Sequence, residues 1–242
     1  MSRSSRRTDL ATGYVLHHRP YRDTSRILEV FTREHGRLTL FARAVRGPAA
    51  RLAPVLQPFQ PLLLSWSGRG EAAQLTGAER AAAAAALPTA AVLSAFYLNE
   101  LLLKLTTRHD PQPELYDHYH ATLEVLRGGA PLAAALRLFE KRLLEGLGYG
   151  LDLESEAPSG RRIEAAGWYA FRPGEGLVGV SAEREGALCG ASLLALAAER
   201  LEEPRPLEDA RRLLGAAIAA CLEGRPLSTR AVARAVRREA AP

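Results

Sequence analysis

The chain is poor in cysteine and almost empty of lysine. Two cysteines in 242 residues, Cys189 and Cys221, exclude a disulfide framework and cannot build a structural zinc site from four cysteines, or from three cysteines and a histidine. Lysine occurs only at positions 104 and 141, so 30 of the 32 basic residues are arginine. Pro88 and Glu100 interrupt the most apolar stretch before it reaches the roughly 18 residues a membrane-spanning helix needs. The basic start, Ser2-Arg3-Ser4-Ser5-Arg6-Arg7, is not followed by an apolar segment, so no secretion signal is expected and the expected location is the cytoplasm. There is no G-x-S-x-G elbow, no P-loop and no internal repeat. No chemical feature points to an enzyme, and no cofactor is expected.

What the chain does contain is unevenly distributed positive charge. Its net +5 divides into three zones. Residues 1–80 carry thirteen arginines against six acids, residues 81–224 carry fourteen bases against twenty acids, and residues 225–242 carry five arginines against Glu239 alone. Two basic ends around an acidic middle suit particular surfaces that meet a polyanion. Solvated arginine in an arginine-rich chain would give the same count, so placement has to decide.

The hydrophobic pattern predicts an α+β chain. Tyr14–Arg19, Arg26–Thr32, Arg37–Arg43, Leu62–Trp66 and Ala73–Thr76 read as short strands, with Arg33-Glu34-His35-Gly36 as a hairpin connection. Five strands in this span suggest a small closed barrel of the oligonucleotide-binding (OB) type, because closure removes exposed edges. From residue 81 the period becomes helical. The alanine run at 81–86 fits a helix that stops at Pro88, and Thr89 can cap the next one, running to about Thr106. That helix is apolar nearly all round, which predicts the buried centre of a bundle. Further helices are expected after Asp110-Pro111, with Leu115, Tyr119, Leu123 and Leu126 on one stripe, and after Pro131, with Leu132, Leu136, Phe139, Leu143 and Leu147 on another. Trp168–Arg172 and Leu177–Ser181 form a candidate hairpin, and helices resume at about 191–202, 206–222 and 227–238. The expected organisation is an OB barrel over 1–80, a helical bundle over 81–150 and a small mixed C-terminal region over 151–242.

Several constellations could carry function. In the third strand Leu38, Leu40 and Ala42 face one way, while Arg37, Thr39, Phe41 and Arg43 face the other, flanked by Arg33, Arg46 and Arg51. Cations that track phosphates beside an aromatic face are what a single-strand groove uses; a solvated strand face with Phe41 under a loop is the plain alternative. The last helix places Arg230, Arg234, Arg237 and Arg238 on one stripe, where like charges repel until a polyanion neutralises them. Arg137 and Lys141 lie one turn apart beside an apolar stripe, a pairing that suits an acidic peptide with a hydrophobic end or an ordinary helix surface. Gly174-Glu175-Gly176-Leu177-Val178-Gly179 matches G-x-G-x-x-G, but strand rather than helix is expected to follow, so a hairpin turn is the expected reading and a nicotinamide site is not. His118 and His120, two apart on a helix, point away from each other and cannot share a metal.

The order of these segments resembles the RecO family of bacterial DNA-repair proteins. The resemblance runs through Val15-Leu16-His17, Arg19-Pro20-Tyr21-Arg22-Asp23-Thr24-Ser25, Gly36-Arg37, Leu56-Gln57-Pro58-Phe59, Tyr97-Leu98-Asn99-Glu100, Leu136-Arg137-Leu138-Phe139-Glu140 and Gly224-Arg225-Pro226-Leu227-Ser228-Thr229-Arg230. It implies an OB barrel followed by a helical bundle and a mediator of the RecFOR recombination pathway. Such a protein binds single- and double-stranded DNA, anneals complementary strands and acts with RecR. It helps to load RecA onto DNA coated by the single-strand-binding protein, and it recognises the acidic C-terminal tail of that coat. The resemblance places the tail contact on Arg137, beside which helical spacing sets Lys141; the strand face and the last helix supply the candidate DNA contacts Arg33, Arg37, Phe41, Arg43, Arg46, Arg51, Arg230 and Arg234. It implies a nucleoid-associated protein. Some members carry a four-cysteine zinc module; residues 152–188 hold no cysteine, so this chain resembles a metal-free branch with a degenerate hairpin there. Where many relatives have Lys-Gly-Ala-Arg, this chain has Arg43-Ala44-Val45-Arg46. The rival from another class is an OB adaptor for RNA or proteins, without annealing.

Overall fold

In the computed structural model, residues 7–43, 45, 52–68, 72–129, 131–181 and 186–239 are described, the side chains of the last helix only through residue 233. The chain divides into two compact units, one running to Arg127 and resuming at Ser228, the other spanning Gly128–Leu227.

The first unit is built on a closed barrel with strand order β1-β2-β3-β5-β4. Its strands are β1 (Arg7–Tyr21), β2 (Ser25–Thr32), β3 (Gly36–Ala42), β4 (Leu62–Ser67) and β5 (Ala73–Arg80). This is the expected OB architecture. Closure depends on β1, which is long enough to pair with β4 through its first half and β2 through its second. Register shifts at Thr8/Ala11 and Val15/His17 bend the strand between those two partners. Gly13 sits where they meet, and a Cβ there would stand 2.9 Å from Thr32 Cγ2 and 3.1 Å from Leu64 Cδ1. Only hydrogen fits. Gly36 closes the β2–β3 hairpin at φ +65°, and a Cβ on it would lie 2.1 Å from the Asp110 carbonyl oxygen. A short parallel pairing, Leu40 with Ala73 and Phe41 with Gln74, seals the barrel. Inside it, Leu28, Val30, Leu38, Leu40, Leu56, Leu62 and Leu64 are buried, as the alternation in β3 predicts.

Helices α1 (Thr89–Leu105), α2 (Pro113–Arg127) and α6 (Ser228–Glu239) complete this unit. Asn99 of α1 donates to the Leu16 carbonyl at 2.8 Å and accepts from the Tyr119 hydroxyl at 2.6 Å, satisfying a buried amide between β1 and α2. The stripe Leu115, Tyr119, Leu123 and Leu126 is buried, as its spacing predicts.

Three local expectations fail. The alanine run at 81–86 is not helical. Six alanines ended by a proline are too short to repay helix nucleation, and the Ala85 carbonyl accepts instead from Arg127 Nε at 2.9 Å. Thr89 does not cap α1; the N-cap is Pro88, without a side-chain cap bond. Nor is α1 buried all round, since Phe96 is exposed except for an edge-on contact with Phe59.

The second unit holds α3 (Leu132–Gly146), the hairpin β6 (Trp168–Arg172) and β7 (Gly176–Val180), the two-residue strand β8 (Leu188–Cys189), α4 (Gly190–Ala197) and α5 (Pro204–Cys221). Gly174 and Gly176 take positive φ in the turn, and Gly179 pairs with Tyr169 in the sheet. The glycine motif is therefore a hairpin, as expected. Strand β8 is invisible in the sequence, because two residues carry no periodic signal. The apolar stripe read for α3 needs revision as well: Phe139 and Leu143 are buried, but Leu132, Leu136 and Leu147 are only partly so, while Arg137 and Glu140 are buried.

Candidate nucleic-acid interface

Cross-strand partners share a sheet face, so the registers sort the outer surface of β1–β2–β3 into rows. At one end, Phe31 and Tyr14 lie beneath the Tyr116 and Tyr119 rings of α2, with centroid separations of 5.1–6.3 Å. Tyr14 also shares a 2.6 Å hydrogen bond with His120 Nδ1, which gives that histidine a structural task. Burial pushes the Tyr14 and Tyr119 hydroxyls well above the ordinary tyrosine range and the Tyr116 hydroxyl up to about 12. This end of the face is closed.

The middle is a charge knot. Glu29 accepts from Arg37 Nη1 at 3.1 Å, Arg108 Nη2 at 2.7 Å and Thr39 Oγ1 at 2.8 Å. Arg37 also donates Nε to Thr106 Oγ1 at 3.1 Å and Nη2 to the Thr106 carbonyl at 2.7 Å. Its side chain is only 11% exposed. Burial lowers the pKa of this guanidinium from its usual range, with Arg108 adding to the effect and Glu29 opposing it. Arg37 joins the barrel to the α1–α2 connection and is already spoken for.

The far end is open. Arg19, Ile27 and Phe41 form one row across β1, β2 and β3. Tyr21 meets Phe41 edge-on at 5.2 Å, the Arg43 guanidinium lies 5.7 Å from the Phe41 ring centre, and Arg22 lies 5.3 Å from the Tyr21 ring centre. Arg19, Tyr21, Arg22 and Arg43 are all exposed. Two aromatic rings interleaved with three arginines can stack bases and neutralise phosphates together.

Of the residues read as DNA contacts, the fold brings Phe41 and Arg43 together here. Arg33 stands apart, held by a two-pronged ion pair to Asp117 of α2 with both contacts at 2.9 Å. Arg46 and Arg51 lie outside the described residues. The sequence reading missed Arg19, Tyr21 and Arg22, which belong to the Arg19-Pro20-Tyr21-Arg22 segment. Their signal is present in the chain, but only the β1–β2–β3 register shows that they flank Phe41.

Comparison with known proteins shows the family to which the chain belongs. The family described as "Recombination protein O N terminal" matches residues 8–83, and "Recombination protein O C terminal" matches residues 89–231. A DNA repair protein RecO of Methylococcus capsulatus is 46% identical over 222 residues, covering 92% of this chain and 91% of its own. The RecO of Nitrosococcus oceani is 44% identical over 96% of this chain and 95% of its own, and that of Pseudomonas aeruginosa 43% over 90% and 91%. The chain belongs to the RecO family of DNA repair proteins.

Within that family frame, the last helix forms a second basic element in the barrel unit. Glu100 caps it: its carboxylate accepts from Ser228 N at 2.8 Å, Thr229 N at 2.9 Å and Thr229 Oγ1 at 2.6 Å. Burial alone would raise this carboxyl, but these bonds and Lys104 outweigh it and hold the pKa at about 2. Arg230 donates Nη2 to the Tyr97 hydroxyl at 3.2 Å, with its guanidinium 5.7 Å from the ring centre. The backbone at 234 is helical; the Arg234 side chain lies outside the described residues.

In the second unit, Arg137 and Lys141 project from α3 into ion pairs. Arg137 Nη2 donates to the buried Glu140 at 2.6 Å, while its buried Nε has no hydrogen-bond partner among the described residues. Lys141 is shared between Glu145 at 3.2 Å and Glu199 at 3.1 Å. The zinc module of some family members does not fit this chain. Residues 152–188 hold no cysteine; there Asp152 accepts from the backbone of Glu154 and Ser155, and Glu156 accepts from Ser159 and Arg161. These bonds hold the carboxyls of Asp152 and Glu156 below their ordinary range. No group of three metal-ligating side chains occurs among the described residues, and no described helix is long and apolar enough to cross a membrane.

Proposed function

We propose that this protein is a recombination mediator that binds single- and double-stranded DNA, anneals complementary strands and, with RecR, promotes RecA loading onto DNA coated by the single-strand-binding protein. The Tyr21–Phe41 pair under Arg22 and Arg43 carries the reading. Arginines on an exposed sheet face neutralise the repulsion between two phosphate backbones, and aromatic rings hold unpaired bases splayed for pairing. No bond is made or broken in this process. Arg230 and Arg234 on α6 add a second track for phosphates in the same unit. Arg137 and Lys141 receive the acidic tail of the coat protein: the buried Arg137 Nε is a donor awaiting an acceptor, and the carboxylates of a tail compete with Glu199 for Lys141. Barrel residues 1–80 hold DNA together with α6, while the helical residues 81–150 and the rest of the C-terminal region 151–242 supply partner contacts. The protein works in the cytoplasm, at the nucleoid.

Strand annealing measured with and without the single-strand-binding protein tests this. Complementary strands pair faster when the mediator is added, and coated strands pair as well as naked ones. Binding of RNA in preference to DNA of the same sequence, with no acceleration of pairing, would replace the reading with an adaptor.

A further inference from the structure

Helix α4 ends on a glutamate where glycine is favoured. Ala198 caps the helix, and Glu199 follows in the left-handed region at φ +57°. The Glu199 N–H donates to the Leu196 carbonyl at 3.1 Å, and the Arg200 N–H to the Ala195 carbonyl at 2.8 Å. This pair of bonds forces the first residue beyond the cap into a conformation that a Cβ resists. Helix α3 closes with the equivalent pair, and there the residue is Gly148, at φ +79°. At Glu199 the side chain reaches α3 instead: its Oε1 accepts from Lys141 Nζ at 3.1 Å and from Arg142 Nη2. Glu145 also meets both cations, each at 3.2 Å, but it lies on α3 itself and stays with them. Only Glu199 brings a carboxylate to them from another element among the described pairs. Leu138, one turn before Lys141 and Arg142, is half-buried beside them.

We propose that Glu199 is a built-in competitor at the acidic-tail site: its carboxylate occupies Lys141 and Arg142 until the carboxylates of an incoming acidic chain end displace it. This rests on the reading of Arg137 and Lys141 as the receiver of an acidic tail, and adds a gate to it. One carboxylate leaves as another arrives, so each new ion pair replaces an old one and the net gain is small. Two partly exposed pairs oppose the tail by about threefold to tenfold in affinity. A lone acidic segment therefore binds weakly, whereas tails displayed side by side on coated DNA reach a local concentration that overcomes the competitor. The gate selects an array of tails over a single acidic peptide, which a set of unopposed cations would not do.

An aspartate-rich peptide ending in phenylalanine, labelled at its N-terminus and titrated against the full-length protein, tests this by fluorescence anisotropy. Glu199→Gly removes the carboxylate and suits the backbone, so it should tighten binding about threefold to tenfold while the melting temperature stays within about 3 °C. Glu199→Gln keeps the length of the side chain and loses its charge, and should tighten binding too. Glu223→Gly is the control: Glu223 follows the cap of α5 at φ +50° and is exposed, so its removal changes net charge and backbone in the same way but should leave the affinity unchanged. Ionic strength supplies a separate readout. In the unaltered protein salt screens competitor and peptide alike, whereas in Glu199→Gly the pairs form anew and the salt dependence should steepen. Unchanged or weaker binding in both Glu199 variants, with the unaltered protein still binding, would overturn the gate and leave the tail site standing. Equal tightening in Glu223→Gly would assign the effect to net charge and also overturn it. No binding by the unaltered protein or by any variant would bring down the tail site as well.

Discussion

Replacing Glu100 with glutamine should loosen the last helix from the barrel unit. Its carboxylate takes three hydrogen bonds from Ser228 and Thr229 and an ion pair from Lys104. Each pKa unit is worth about 1.4 kcal/mol, so holding this carboxyl at about 2 rather than 4.5 sets a ceiling of about 3 kcal/mol on what ionisation contributes. Solvent screening of the partly accessible side chain reduces that to about 1–2 kcal/mol, in line with the loss of an ordinary helix cap. Glutamine keeps one acceptor oxygen and loses the charge. Amide exchange at Ser228 and Thr229 should accelerate about fivefold to thirtyfold, the equivalent of that energy, while Asn99 and the β-strand amides stay protected. The pH dependence has a definite sign. A carboxyl whose folded pKa is depressed contributes fully above its unfolded value near 4.5, and that contribution fades as pH falls towards 2. The native protein should lose α6 protection across that window, and Glu100→Gln should show no such transition. Unchanged exchange at Ser228 and Thr229 in the variant would refute the reasoning, as would a transition between pH 4.5 and 2 that survives it.

Tyr21→Ala with Phe41→Ala should weaken single-strand binding by about 1–3 kcal/mol per stacked base without altering its salt dependence, as read by anisotropy. Removing Arg19, Arg22 and Arg43 should instead flatten the slope of log K against log[salt] by about 0.7 for each phosphate no longer neutralised. Arg37→Ala should leave that slope unchanged and lower unfolding stability by about 1–3 kcal/mol in denaturant titration, because it takes a donor from Glu29 and from the Thr106 carbonyl. Arg137→Gln should slow annealing of coated strands while sparing naked ones, and should lower the melting temperature because the buried Glu140 loses this cation; equal slowing on both substrates would move the tail contact elsewhere.

Much of the fold was legible because its signals are local. The alternation of β3 predicts the burial of Leu38, Leu40 and Ala42, and the spacing of α2 predicts its buried stripe. The alanine run misleads for an equally physical reason: propensity per residue says little about a segment too short to nucleate and ended by proline. The candidate site was only half legible. Alternation places Arg37 and Phe41 on one face, yet they do different work. Nothing along the chain shows that Glu29, eight residues before Arg37, and Thr106, sixty-nine after it, converge on its guanidinium.

By itself the sequence determined which residues face into the barrel, how the charge is apportioned along the chain, and the family that this order of segments identifies. These follow from side-chain periodicity and composition, which are properties of neighbours in the chain. Only the tertiary structure decided which cations stand at the surface beside aromatic rings. Helix α2 closes one end of the outer β1–β2–β3 face, Arg37 and Arg108 are tied to Glu29 in the middle, and Tyr21, Phe41 and their arginines are exposed at the other end. Whether an arginine can reach a phosphate depends on whether the fold buries it against an acceptor of its own, and that is set by contacts between residues far apart in sequence.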